Sequence, residues 1–225
     1  MLEDDNGFAI LHEPSSCDRR PANASRGHCT GHLMVGPWPG RVLHVESHLE
    51  MNWAHCLNAH PMTRVLREQV GFDWTDGAGK RRTHYFDLFV EQSDGRRIAY
   101  PVKPEARVND RFMAEMTAVA RQAKQTGLVD EVRLLTDADL DPVELSNARL
   151  GYGMRVPDPE ADHAAAAVVA ALPGVVTLGD LVDRLGLGAR GYRALIRLVR
   201  AGRLRATRHE HLTHATQVFS AGALA

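Results

Sequence analysis

Three residues are of types and placements that can do chemistry: Glu50, Asp87 and Lys103. Asp87 interrupts the apolar run Thr83-His84-Tyr85-Phe86-Asp87-Leu88-Phe89-Val90, where a carboxylate is costly unless something binds it. Glu50 falls in the first turn of a helix beginning at Glu46-Ser47, and Lys103 closes the strand-like run 96–103. Residues two apart on a pleated strand share a face, so positions 101 and 103 point the same way. An acid at 101, with Asp87 and Glu50, would hold Mg²⁺ or Mn²⁺, hard cations that take oxygen ligands. Lys103 would then orient a water or stabilise charge at a phosphate.

Position 101, however, is proline, which offers no side-chain ligand and no backbone donor. Two substitutes are open. One is the carbonyl of Val102 with Glu50, Asp87 and waters, since Mg²⁺ usually keeps several waters; the other is Glu105 or Glu91. With neither, the site is a relic. Each residue also has a plainer reading: Glu50 as a capping-box glutamate, Asp87 as half of a buried ion pair, Lys103 as a strand-end lysine reaching water.

The positioning elements are legible as patterns. Ser47 as N-cap with Glu50 three residues on opens a helix whose apolar face is Leu49, Trp53, Cys56 and Leu57. Runs 63–74, 83–91 and 96–103 read as strands separated by the turn sequences DGAGK and SDGR. A helix over 109–125 carries Phe112, Met116, Val119, Ala120 and Ala123 on one side and stops at Gly127; 131–136 reads as a buried strand. This order predicts an α/β fold with a mixed sheet flanked by helices.

The stretch 1–40 has no sustained periodicity and reads as a flexible arm. Residues 156–162 (VPDPEAD) read as a linker. Beyond them come an alanine-rich helix, TLGDLVDRLGL, ARGYRALIRLVRAGRLRA and two short strand-like pieces, the layout of a winged helix. Residues 176–225 hold eight arginines against Asp180, Asp183 and Glu210, although the whole chain is at -1. A basic module joined to an acidic one suggests polyanion contact through Arg190, Arg193, Arg197, Arg200, Arg203 and Arg205. The rival reading is a protein-docking module whose arginines solvate helix faces.

The runs VESHLEMNWAHCLNAHPMTRVLREQV and THYFDLFVEQSDGRRIAYPVKP resemble the N-terminal nuclease domain of the TnsA-type transposon endonucleases. The resemblance covers about residues 40–150, and the tail is similar to that family's winged-helix module. It implies a restriction-endonuclease-like domain over 41–155 and a winged helix over 163–222. The implied activity is metal-dependent cutting of DNA at transposon ends, beside a transposase subunit and an ATPase regulator. By match to the motifs, Glu50 is the helix acid, Asp87 the strand acid and Lys103 the lysine, with His84 near the phosphate. Members usually carry Glu or Gln where this chain has Pro101. Two other functions stay open: an accessory DNA-binding or assembly subunit that lost metal chemistry, and a winged-helix transcription regulator.

Composition narrows the setting. Hydrophobic residues make up 44% and charged residues 24%, as in ordinary globular proteins. No apolar run reaches the roughly 20 residues a membrane span needs, and the acidic start Met-Leu-Glu-Asp-Asp is unlike a secretory signal. Cys17, Cys29 and Cys56 build no disulfide framework, so the expectation is a bacterial cytoplasm, at the nucleoid while acting. Zinc is set aside: the groups Cys17/His28/Cys29/His32, His55/Cys56/His60 and His209/His211/His214 lack convincing ligand spacing.

Overall fold

Helix α1 (His48–Ala59) starts where Ser47, in an extended conformation, accepts the Glu50 N–H on its hydroxyl at 3.1 Å. The computed structural model describes residues 8–20 and 30–224 and divides the chain into two compact units, 1–140 and 141–225. It is an α/β structure with a mixed sheet and, among the described residues, six α-helices.

In the first unit, β1 (Gly31–Val35) pairs antiparallel with β2 (Arg41–Val45), and α1 follows. The main sheet is β3 (Thr63–Thr75), β4 (Arg81–Gln92), β5 (Arg97–Tyr100) and β6 (Glu131–Val132), adjacent in that order. The first three are antiparallel neighbours, while β6 runs parallel to β5, as a strand returning through helix α2 (Asp110–Gln125) must. At the β3–β4 turn the Asp76 carboxylate accepts the N–H groups of Ala78 and Lys80, and Gly79 takes the positive φ of 77°. Helix α2 is capped by Asn109 and lays Met116, Val119 and Ala123 on Val70, Phe72, Phe86, Phe89 and Ala99. On the other end, the Trp53 indole N–H of α1 donates to the Thr136 carbonyl at 2.9 Å.

Two expectations for this unit change. The stretch 31–35, placed by sequence in a flexible arm, is a strand, because Leu33 and Val35 pair with β2 and bury with Leu43 and Val45. Five residues bounded by polar and glycine-rich sequence are too short a run to show alternation without their partner. The buried strand read over 131–136 is only two residues of regular ladder, although its backbone goes on donating from Arg133 to Ala99 and from Leu135 to Pro101.

The second unit holds α3 (Pro142–Gly153), α4 (Pro159–Ala170), β7 (Val176–Thr177), α5 (Leu178–Leu185), α6 (Ala189–Arg200), β8 (Leu204–Ala206) and β9 (Gln217–Ser220). The three strands form an antiparallel sheet in the order β7-β9-β8. Its core is Ala161, Ala165, Val169, Leu178, Leu181, Ala194, Leu195, Ile196, Leu204 and Val218. The VPDPEAD stretch is not a linker throughout. Asp158 caps α4 by accepting the Ala161 N–H, and Pro159 occupies the first helical position, where its missing N–H costs nothing. Gly186, at φ 66°, ends α5 before the turn to α6.

Candidate functional site

Three strands bring Gln69, Asp87 and Pro101 into one row. On β3–β4, Gln69 lies between the pairs Glu68–Leu88 and Val70–Phe86, which sets it opposite Asp87. On β4–β5 the ladder ends at Leu88–Tyr100, one step before Asp87 would meet Pro101. Proline has no N–H to continue it. Asp87 extends the ladder instead with its side chain: Oδ2 accepts the Val102 N–H at 2.7 Å, and Oδ1 faces the Gln69 amide nitrogen at 3.4 Å. Burial, then the negative charge of Glu50, pushes the Asp87 carboxyl up to about 7, against the pull of those two hydrogen bonds.

Glu50 reaches the same place from the first turn of α1. It is 7% exposed, its Oε1 accepts from the Ser47 hydroxyl at 2.8 Å and its Oε2 accepts the Glu46 N–H at 2.8 Å. Burial is the main reason its pKa is also raised. The capping role read from sequence and the proximity to Asp87 are thus both real, because one helix start supplies both. Among the described residues, neither carboxylate makes an ion pair. The charge of Glu50 raises the Asp87 pKa, and that of Glu46 raises the Glu50 pKa; acids crowded in this way take up either a proton or a cation.

Lys103 is placed differently. Its backbone N–H donates to the Leu135 carbonyl at 2.9 Å, and its ammonium rests 4.4 Å from the centre of the Phe112 ring, on the first turn of α2. His84 packs edge-on against Phe86 with ring centroids 4.8 Å apart; its Nε2 is buried with no hydrogen-bond partner among the described residues, and burial lowers its pKa. Of the substitutes for an acid at 101, Glu91 pairs with Arg64, and Glu105 is an exposed residue of a short 3-10 turn. Val102 alone is at the site.

Sequence reasoning missed Gln69, Glu46 and Arg19. Gln69 is 1% exposed with φ 49°, a left-handed conformation in the middle of a strand. Arg19 donates to Gln69 Oε1 and to Glu46 Oε2, both from Nη2, at 2.6 and 2.8 Å. A polar residue within LREQVGF was the available signal for Gln69; Arg19 had none, because nothing in its neighbourhood is periodic.

The arginines of the second unit divide into two groups. Arg190 pairs with Asp158 and Glu160, which holds the Asp158 carboxyl well below the usual range. Arg197 pairs with Asp162 and donates to the carbonyls of Met154 and Val156. Arg200 is packed beside Gly151 of α3, and its burial lowers its pKa. These three tie α6 to α3 and α4. Arg193 on α6, Arg203 just before β8, Arg205 on it and Arg208 after it are exposed.

Among the described residues no three His, Cys, Asp or Glu side chains converge as a metal-holding group; His28 and Cys29 lie outside the described residues. No protein-family model matches the chain, and no curated protein matches it. No described helix is long and apolar enough to cross a membrane.

Proposed function

We propose that the chain is the metal-dependent DNA endonuclease subunit of a TnsA-like transposition system. In this reading the first unit is a restriction-endonuclease-like domain and the second a winged helix, working with a transposase subunit and an ATPase regulator. The observation that carries it is the approach of the buried Glu50 to the half-buried Asp87, 37 positions apart in the chain, with no ion pair to either carboxylate among the described residues.

That pair fits a hard divalent cation, because desolvated carboxylates lacking a counter-charge are the donors such an ion relieves. Mg²⁺ or Mn²⁺ bound there supplies Lewis acidity to a phosphodiester oxygen and makes a bound water more acidic. Glu50 and Asp87 would hold it with their carboxylate oxygens, and a proton on Asp87 would have to leave to water as the ion binds. The Val102 N–H keeps Asp87 aimed, and the Val102 carbonyl, on the same edge of an extended residue, is the third protein oxygen. Lys103, whose ammonium rests on the Phe112 ring, would have to swing off that ring to meet charge developing on the phosphate. In the second unit DNA contact falls to Arg193, Arg203, Arg205 and Arg208, since Arg190, Arg197 and Arg200 are spent on holding α6.

Pro101 favours a second reading, an accessory subunit that keeps the fold and binds DNA without cutting. A regulator reading a major groove through α6 is less favoured, because that helix presents few unengaged arginines. Nicking of supercoiled DNA separates the first two. Mg²⁺- or Mn²⁺-dependent nicking that disappears in Asp87→Ala supports the endonuclease; DNA binding with no nicking under either metal supports the accessory subunit.

A further inference from the structure

We propose that Arg19, carried by the N-terminal segment, is the phosphodiester-binding residue of the Glu50–Asp87 site; the choice of substrate rests on the nuclease reading. The segment is fastened along the edge of β3 by the residues that lead up to Arg19. The Asp18 N–H donates to the Gln69 carbonyl at 3.2 Å, and the Asp18 carboxylate accepts the Gly71 N–H at 2.9 Å. The Ser15 hydroxyl donates to the buried Glu68 at 2.5 Å, and Arg67 donates to the Ser16 carbonyl at 3.2 Å. A residue in such a segment has a defined position.

The guanidinium is held on three sides. Its Nε and Nη2 donate to Gln69 Oε1 at 3.1 and 2.6 Å, Nη2 also reaches Glu46, and its central carbon lies 5.2 Å from the centre of the Tyr85 ring. The side chain is 43% exposed, and the two N–H groups of Nη1 have no partner among the described residues. A planar fork, fixed at one end and with two donors unspent toward solvent, is suited to phosphate oxygens.

Arg19 also sets the acid. Because its donors demand the carbonyl oxygen of Gln69, the amide nitrogen is the end that faces Asp87. Gln69 keeps its left-handed backbone while its carbonyl accepts from Asp18, the neighbour of Arg19. Glu46, whose carboxylate accepts from Arg19, donates its own backbone N–H to Glu50 Oε2 at 2.8 Å. One guanidinium therefore touches the supports of both acids while offering free donors outward.

The test uses the full chain and a short DNA duplex, with Ca²⁺ in place of Mg²⁺, and measures the dissociation constant by fluorescence anisotropy across a salt series. Arg19→Ala should weaken binding ~10-fold and reduce the slope of log Kd against log salt by ~1, the signature of one lost phosphate contact. Arg19→Lys should restore the slope but only part of the affinity, since it returns the charge without the fork. Thermal unfolding checks that each variant is folded, and Arg19→Lys carries the test if Arg19→Ala is not. Wild-type affinity and slope in both variants overturn the proposal, as does a wild-type chain that binds no DNA. A chain that binds DNA but cuts none in Mg²⁺ or Mn²⁺ removes the nuclease reading while the salt slopes still decide the role of Arg19. A chain that cuts equally well with Arg19→Ala, at unchanged KM and slope, removes Arg19 alone.

Discussion

The Val102 N–H donates to Asp87 Oδ2 at 2.7 Å, one residue past the proline that breaks the β4–β5 ladder. The missing donor of Pro101 and the half-buried acid of Asp87 are two sides of one arrangement. The strand edge that proline leaves unfinished is completed by a carboxylate, which is thereby held where Glu50 approaches it.

Asp87 makes stability depend on pH. Its folded pKa, about 7, lies above the ordinary 3.8, so the folded chain holds its proton more tightly than the unfolded one. The contribution is fully present below pH 3.8 and is lost as pH rises through 7, each tenfold difference in proton affinity being worth ~1.4 kcal/mol. Metal-free protein should gain stability from Asp87→Asn at about pH 8 and less than half as much at about pH 5. Denaturant unfolding at the two pH values measures this; equal effects at both would contradict it.

Pro101→Glu puts a carboxylate directly across from Asp87, within the roughly 5 Å of a cross-strand pair. It should tighten Mn²⁺ binding and raise nicking activity at least ~10-fold over the natural chain, an effect of ~1.4 kcal/mol. Unchanged metal affinity in a folded variant would show that position 101 does not face the site.

Arg197 and Arg203 should separate stability from binding. Arg197→Ala takes the partner from Asp162 Oδ1 and from two carbonyls and should cost about 1–3 kcal/mol, read as a melting point several degrees lower. Arg203→Ala, from an exposed site, should leave melting within a degree or two yet weaken DNA binding. The reverse pattern would return the DNA contact to α6.

Glu68 is fully buried and accepts from Ser15, Arg41 and the His44 N–H. Glu68→Ala strands the Arg41 charge, and a loss of about 3 kcal/mol or more is expected by calorimetry. A change under about 1 kcal/mol would mean that the segment and the β1–β2 hairpin are held by their apolar contacts alone.

Much of the frame was legible because it is written in local signals. Ser47 with Glu50, Asn109 before an amphipathic helix, and DGAGK between alternating runs each specify an element without help from distant residues. Asp87 drew notice for a different reason, since a carboxylate between Phe86 and Leu88 has to be answered somewhere, whereas Glu50 read on its own as a capping glutamate. What escaped depends on contacts far apart in the chain. Gly31–Val35 is a strand only against β2, and Gln69 takes its left-handed turn only with Asp18 on its carbonyl. Arg197 carries the same charge as Arg203; only the position of Asp162 in the fold makes one structural and leaves the other exposed.

The central claim is that Glu50 and Asp87 together grip a divalent cation, and Mn²⁺ binding followed by calorimetry at about pH 8, above the folded pKa of Asp87, tests it most directly. The natural chain should bind Mn²⁺ in a saturable way, and Glu50→Gln and Asp87→Asn should each abolish that binding while remaining folded. Unchanged Mn²⁺ affinity in either folded variant would contradict the account.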